Sequence, residues 1–270
     1  MTTGKHLFRL LGSCALAAGI AFACGSAGAN VRIEKVQYRK GEVGFKTMLA
    51  YDTAFKGKRP AILMGPTWTG PGEYTQGRAA QLAKMGYVVL ITDIYGNGLQ
   101  PARGKESAAQ MDIYMKDRPL LRERMRAGYD ALRANPRVDA SRIIALGYCF
   151  GGTGVLELAR SGAPLAGVVV FHGILDTPTP QDAKNIKAPV LVLNGADDPN
   201  APPQAVQAFE KEMTDAGVDW QLVNYSGTKH AFTDPSSGTD QSKGSVYNAR
   251  SDRRSWVAMQ DFLKELSERK

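Results

Sequence analysis

The chain has 270 residues, 43% hydrophobic and 22% charged, with a formal net charge of +8. These values exclude a fibrous, low-complexity or disordered chain, and the length is ample for a well-buried core. Basic residues are interleaved with acidic ones, as in Arg122-Glu123-Arg124 and Lys264-Glu265, which suits a solvated surface better than a nucleic-acid groove.

At the N-terminus Lys5, His6 and Arg9 are followed by an apolar stretch over 10–24 and by the small residues Ala27-Gly28-Ala29. This order predicts a secretory signal peptide over 1–29, cleaved after Ala29, and hence a periplasmic or secreted protein. The apolar run is short for a membrane span, and no other segment is apolar enough to be one. Ala21-Phe22-Ala23-Cys24 loosely resembles a lipobox, so a lipoprotein anchored at Cys24 is the alternative. Cleavage removes two of the 34 Lys and Arg and none of the 26 Asp and Glu, leaving 32 − 26 = +6. It also leaves one cysteine, Cys149, and two histidines, His172 and His230. A lone thiol in an exported chain cannot form an internal disulfide, so either packing or chemistry must explain it.

The rest, 30–270, shows no repeat or linker that would divide it and reads as a single domain. Strand-like runs at 31–38 and 43–51 open it, followed by a short apolar strand at 60–65. A helix is expected over 73–85, with Ala79, Leu82, Ala83 and Met85 on one face, then a strand at 87–94. Residues 107–134 are mostly helical, with Pro119 marking a break or fresh start. A strand at 142–148 runs into a helix at 151–160, and strands follow at 165–171 and 190–194. A helix at 203–216 and a strand at 220–225 come next, then a polar loop over 233–250. An amphipathic helix over 250–266 closes the chain, with Trp256, Met259, Leu263 and Leu266 at helical spacing. Such alternation predicts an α/β fold with a mainly parallel sheet and helices on both faces. Ligands then bind at the carboxyl ends of the strands.

Three of those ends carry chemistry. Gly147-Tyr148-Cys149-Phe150-Gly151 is a G-x-C-x-G elbow between a buried strand and a helix. Its glycines are demanded by the tight turn, and the helix N-terminus favours a thiolate at Cys149. The strand at 190–194 ends in a loop with Asp197 and Asp198. Asp198 fits a G-x-x-D-x-x-x-P arrangement from Gly195 to Pro202, and Asp197 is the alternative acid. His230 follows the last strand, in the acid-then-histidine order of α/β-hydrolases. His172 also ends a strand, but it precedes the acid and reads as a pocket-wall or structural residue.

Over nearly all of 31–267 the chain resembles the dienelactone hydrolases. Gly147-Tyr148-Cys149-Phe150-Gly151-Gly152, Asp93-Ile94-Tyr95-Gly96, Asp198 and His230-Ala231-Phe232 carry the resemblance, as do the spacings of 49 residues from Cys149 to Asp198 and 32 to His230. It implies an α/β-hydrolase fold without a large lid and cofactor-free hydrolysis of an ester or lactone by a Cys149–His230–Asp198 triad. It also implies an oxyanion site from the backbone N–H groups of Phe150 and Trp68. Thr67, Tyr95, His172 and Phe232 are expected around a small-molecule pocket, and a monomer with no metal and no nucleic-acid partner is expected.

Two departures stand out. The family places a Glu against the resting thiol where this sequence has Thr67. The arginines that hold the family's substrate carboxylate are replaced by Asn97 and Asp234. Arg78 or Arg103 could substitute, though each reads first as a solvated surface residue. Two other readings remain. A glutamine amidotransferase shares the elbow but places Glu two residues after its His, where Phe232 stands here. A non-catalytic binding protein on the same fold would have no need of all three triad groups.

Overall fold

The computed structural model describes Met1 and residues 30–269. The expected signal peptide, with Cys24, lies at positions outside the described residues. Numbered along the chain, the strands are β1 (Val31–Lys40), β2 (Val43–Asp52), β3 (Arg59–Gly65), β4 (Val88–Ile91), β5 (Val138–Tyr148), β6 (Gly167–Phe171), β7 (Val190–Gly195) and β8 (Trp220–Tyr225). They form one eight-stranded sheet in the order β1-β2-β4-β3-β5-β6-β7-β8. β2 is antiparallel to β1 and to β4, and every other pair is parallel, so the expected mainly parallel α/β sheet is present.

The sheet is buried on both sides because its central strands are apolar at every position. On β3, Ala61 and Leu63 enter one core while Ile62 and Met64 enter the other, all at 0% exposure. Helices α2 (Lys105–Lys116), α3 (Arg118–Arg133), α4 (Phe150–Arg160) and α5 (Pro203–Asp215) cover the first face. Helices α1 (Glu73–Lys84) and α6 (Ala249–Glu268) cover the second, where α6 contributes Met259 and Leu263 as its spacing requires.

Some boundaries differ from the sequence pattern for local reasons. β4 stops at Ile91 and not at 94. The Asp93 carboxylate accepts the N–H groups of Lys46, Gly96 and Gly98 at 2.9, 2.9 and 2.8 Å, which draws the chain off the ladder into a loop. The helical run breaks at Asp117, whose carboxylate accepts the Leu120 N–H at 2.9 Å and caps α3. Pro119 then sits in the first turn, where no N–H is needed. β5 begins at Val138, four residues early, because it pairs there with Arg59 across a shift in register. Among the described residues no helix is long and apolar enough to cross a membrane.

Candidate active site

Cys149 alone makes the turn between β5 and α4, at φ 54° and ψ −123°. A side chain in this left-handed region is strained, at a cost of about 1–3 kcal/mol. The turn is possible because three glycines meet behind it. A Cβ on Gly147 would stand 2.2 Å from the Gly151 carbonyl oxygen, and one on Gly151 would stand 2.1 Å from the Gly65 carbonyl carbon. Glycines 147 and 151 are thus required by contact, as the elbow pattern implies. Gly65, at the end of β3, is the third member, and only its place before Pro66 marks it in the sequence.

Asp198 and His230 reach the thiol from the ends of β7 and β8, beyond β6. Gly195 ends β7 with room for no side chain, since its Cβ would lie 2.4 Å from the Thr228 carbonyl oxygen. That close approach sets the Asp198 loop against the His230 loop. Asp198 is buried and accepts the Asn200 N–H at 2.8 Å and the His230 Nδ1–H at 2.8 Å. His230 Nε2 lies 3.1 Å from Cys149 Sγ. The alternative acid, Asp197, is exposed.

The polar loop over 233–250 acts as a backbone strap for His230. The His230 N–H donates to Gly244 O at 3.2 Å, and the Val246 and Asn248 N–H groups donate to His230 O and Phe232 O at 2.9 and 3.0 Å. Lys229 Nζ fastens the strap by donating to Gln241 O and Lys243 O. Ala231 takes φ 56° to make this possible. Sequence periodicity gives no sign of such a strap, because its bonds are made by backbone.

The electrostatics of Cys149 and His230 belong to a coupled pair. Burial opposes ionisation of the thiol. The positive charge and hydrogen bond of His230, with the backbone N–H groups of Phe150 and Trp68 facing the sulfur, outweigh it and bring the thiol below its ordinary value. Burial likewise opposes charge on His230, but the Cys149 charge and the bond to Asp198 push it up to about 10. Each charge thus favours the other, and the pair leans toward thiolate and imidazolium. His172 lies edge-on to His230 at 5.1 Å and hydrogen-bonds Thr233 Oγ1 through Nε2 at 2.7 Å. Burial, and then the charge of His230, hold its pKa far below the usual value, so it is a neutral wall beside the charged ring.

A cavity of about 250 Å³ opens on the sulfur, lined by Thr67, Trp68, His172, Ile174, His230 and Asp234 among others. Thr67 and His172 stand where the sequence reading puts them. Thr67 Oγ1 bonds Thr69 Oγ1 at 3.1 Å, while the side-chain partner of the sulfur is His230. Two expected pocket residues do not line the cavity. Phe232 is fully buried between His172 and Tyr225. Tyr95 stacks on Phe150 in the core and donates its hydroxyl to Trp68 O at 2.6 Å, so it holds the loop and is not a wall. Arg78 is also no surface residue. It is buried between the rings of Tyr74 and Trp256, donates to Thr233 O at 2.8 Å and pairs with Asp252. Asn97 is an exposed left-handed turn residue, and Asp234 is a buried cavity residue paired with Arg103 at 3.3 Å. Met111, Asn200 and Ser245 also line the cavity. They were missed because each comes from a different loop or helix with no motif around it.

A mainly parallel sheet with a strained elbow, an acid and a histidine in that chain order at three strand ends defines an α/β-hydrolase. The relatives narrow the class. Residues 45–267 match the model of the dienelactone hydrolase family, and the chain belongs to that family and is a hydrolase. A solved structure named m3DLH is 36% identical, with a TM-score of 0.84 over 88% of this chain and 99% of its own. A dienelactone hydrolase-like promiscuous phosphotriesterase from metagenomic libraries is also 36% identical, with a TM-score of 0.83 and the same coverage. A Bradyrhizobium protein named "Probable 2-oxo-3-(5-oxofuran-2-ylidene)propanoate lactonase" is 30% identical over 65% of this chain and 74% of its own.

Proposed function

We propose that the protein hydrolyses an uncharged ester or lactone through an acyl-cysteine intermediate, with Cys149, His230 and Asp198 as the catalytic residues. The observation that carries this reading is the unbroken chain from Sγ to Nε2 at 3.1 Å and from Nδ1 to Oδ2 at 2.8 Å, set at a strained elbow. The names of the relatives, among them the lactonase, support acyl-bond cleavage.

The Cys149 thiolate attacks the carbonyl carbon, forming the C–S bond. The developing oxyanion takes the N–H groups of Phe150 and Trp68, each donor of this kind being worth about 10²–10³ in rate. The C–O bond then breaks, and the leaving alkoxide takes the Nε2 proton of His230. Water gives a proton to Nε2 as its oxygen attacks the thioester. The C–S bond breaks, restoring the thiolate–imidazolium pair and releasing the acid. Asp198 holds the ring with Nε2 toward sulfur throughout. With Thr67 in place of the family's Glu, the thiol is paired with His230 at rest and needs no substrate to free it.

Substrate charge follows from the lining. Every formal charge around the cavity has an opposite partner, Arg103 with Asp234 and Cys149 with His230, so a carboxylate finds no free cation. We further propose that residues 1–29 direct export. Acid-quenched 4-nitrophenyl acetate reactions analysed by intact mass test the chemistry: an acetyl adduct on Cys149 is expected, and turnover with no adduct refutes the covalent route. The mass of exported protein tests the second proposal. A chain beginning at Asn30 is expected, and a lipid adduct on Cys24 overturns it.

A further inference from the structure

Beside the reaction cavity lies a larger groove of about 690 Å³, and the two share Thr67, Arg103 and Asp234 as a common wall. We propose that this groove is the second half of the substrate site and takes a neutral, hydroxyl-rich alcohol arm of the ester. The proposal rests on the hydrolase reading above and adds the substrate class.

Three observations point there. The first is size. A cavity of about 250 Å³ is below the ~300–1,000 Å³ usual for small-molecule sites, whereas the adjoining groove falls within it. The second is Gly77. It lies in the middle of α1 on the groove wall, where a Cβ would meet nothing within 4 Å. A mid-helix glycine destabilises relative to alanine, and here no close approach of backbone demands it. The groove is open at this point, with room for a bound group beside the helix. The third is charge and hydrogen bonding. The groove carries Arg78 and Arg103 against Glu73, Asp234 and Asp252, or 2 − 3 = −1. Both arginines are already paired with aspartates. An anionic arm is therefore repelled, while hydroxyls can donate to the exposed Glu73 carboxylate and accept from Gln81 and Arg103.

The leaving oxygen must take its proton from His230, and Asp234, on the wall that the two spaces share, follows it by four residues. We therefore place the alcohol side of the scissile bond toward the groove and the acyl side toward His172 and Ile174, which line the smaller cavity and not the groove.

Filling the groove tests this. Gly77→Trp places an indole in the open space, and Gly77→Ala restores helix propensity without filling it. Wild type and both variants are compared on phenyl acetate and on the 6-O-acetyl ester of cellobiose. The expected result is that Gly77→Trp lowers kcat/KM for the cellobiose ester at least tenfold more than for phenyl acetate, while Gly77→Ala shows no such difference. Equal effects on both esters overturn the proposal. Saturation-transfer NMR with free cellobiose reads the groove without any turnover. Transfer in wild type that is lost in Gly77→Trp is expected, and no transfer in either protein refutes the groove assignment. A protein that binds cellobiose but cleaves neither ester refutes the catalytic reading alone. Substituting the acetyl ester of glucuronic acid should lower kcat/KM at least tenfold relative to that of glucose, and the reverse preference sinks the neutral-arm assignment.

Discussion

Helix α4 has a buried charged group at each end, and the two ends are built differently. At its C-terminus Arg160, fully buried, donates twice to Glu212 at 2.8 and 2.7 Å, once to Glu157 at 3.0 Å and once to Leu175 O at 3.1 Å. Arg122 closes the network by donating to Glu157 and to Asp182, each at 2.7 Å. Guanidinium does not give up its proton, so both cations here are permanent, and the network ties α3, α4, α5 and the short 3₁₀ helix at Pro180–Asn185 together. At the N-terminus the ion pair of Cys149 and His230 exists only while a proton sits on Nε2. Both ends agree with the helix dipole, the anion at the start and the cation at the end. The lesson is that a buried ion pair holds a fold when its proton cannot leave, and performs chemistry when it can.

Removing the thiol breaks the comparison most sharply. Cys149→Ala should lower turnover about 10⁶-fold, the loss seen when a triad nucleophile is deleted, and should leave thermal unfolding near wild type because the left-handed strain stays. Steady-state kinetics and calorimetry check both halves. Activity within tenfold of wild type would remove Cys149 from the mechanism. Asp198→Asn should cost up to about 10⁴ in kcat by releasing the His230 tautomer, whereas Asp197→Asn, at an exposed position, should change little. The opposite ranking would move the orienting role.

The far end should behave the other way round. Arg160→Met leaves Glu212 buried without its partner and Glu157 with Arg122 alone, and breaking such a pair costs about 3–5 kcal/mol. Urea unfolding should show that loss, while kcat of the folded fraction stays close to wild type. A stable variant with lost activity would mean that the two ends are coupled through α4.

The proton-dependent pair has its own signature. The Cys149 pKa is lowered and that of His230 is raised to about 10, so the thiolate persists as pH falls until the lowered thiol value is crossed. An ordinary thiol of pKa ~8.5 is only about 3% ionised at pH 7, and the lowered value of Cys149 gives it more thiolate to offer. Iodoacetamide inactivation should therefore have its midpoint at a lower pH than an ordinary thiol shows. A midpoint at or above the ordinary value of ~8.5 would show that the thiol is unpaired at rest.

The elbow, the strand ends and the acid–histidine order were legible because each rests on local rules: glycine at a left-handed turn, apolar runs for buried strands, and chain order. The pocket wall was not. Tyr95 and Phe232 flank motif residues, yet their rings turn into the core, since a side chain beside a site is as free to pack inward as to face the ligand. Arg78 reads as a surface charge on a helix until Asp252, 174 residues on, is brought alongside it. The Arg103–Asp234 pair, 131 residues apart, was hidden for the same reason. Long-range ion pairs have no periodicity to announce them.

Tyr95 offers the finest test, because it sits outside both ends of α4 and acts on one of them through a single bond. Its hydroxyl donates to Trp68 O at 2.6 Å, and burial, followed by the charge of Cys149, pushes its pKa up so that it remains a donor. The Trp68 N–H, on the same residue, faces the sulfur, so the hydroxyl fixes the peptide that would receive the oxyanion. Tyr95→Phe keeps the stack on Phe150, whose ring lies 5.9 Å away, and deletes only that bond. One such neutral bond is worth about 0.5–1.5 kcal/mol, or roughly 2- to 10-fold. The oxyanion forms in the transition state and not in the ground state, so the loss should fall on kcat with KM almost unmoved. A purely structural role would instead lower the unfolding midpoint and leave kcat alone, and that outcome would detach Tyr95 from the oxyanion site.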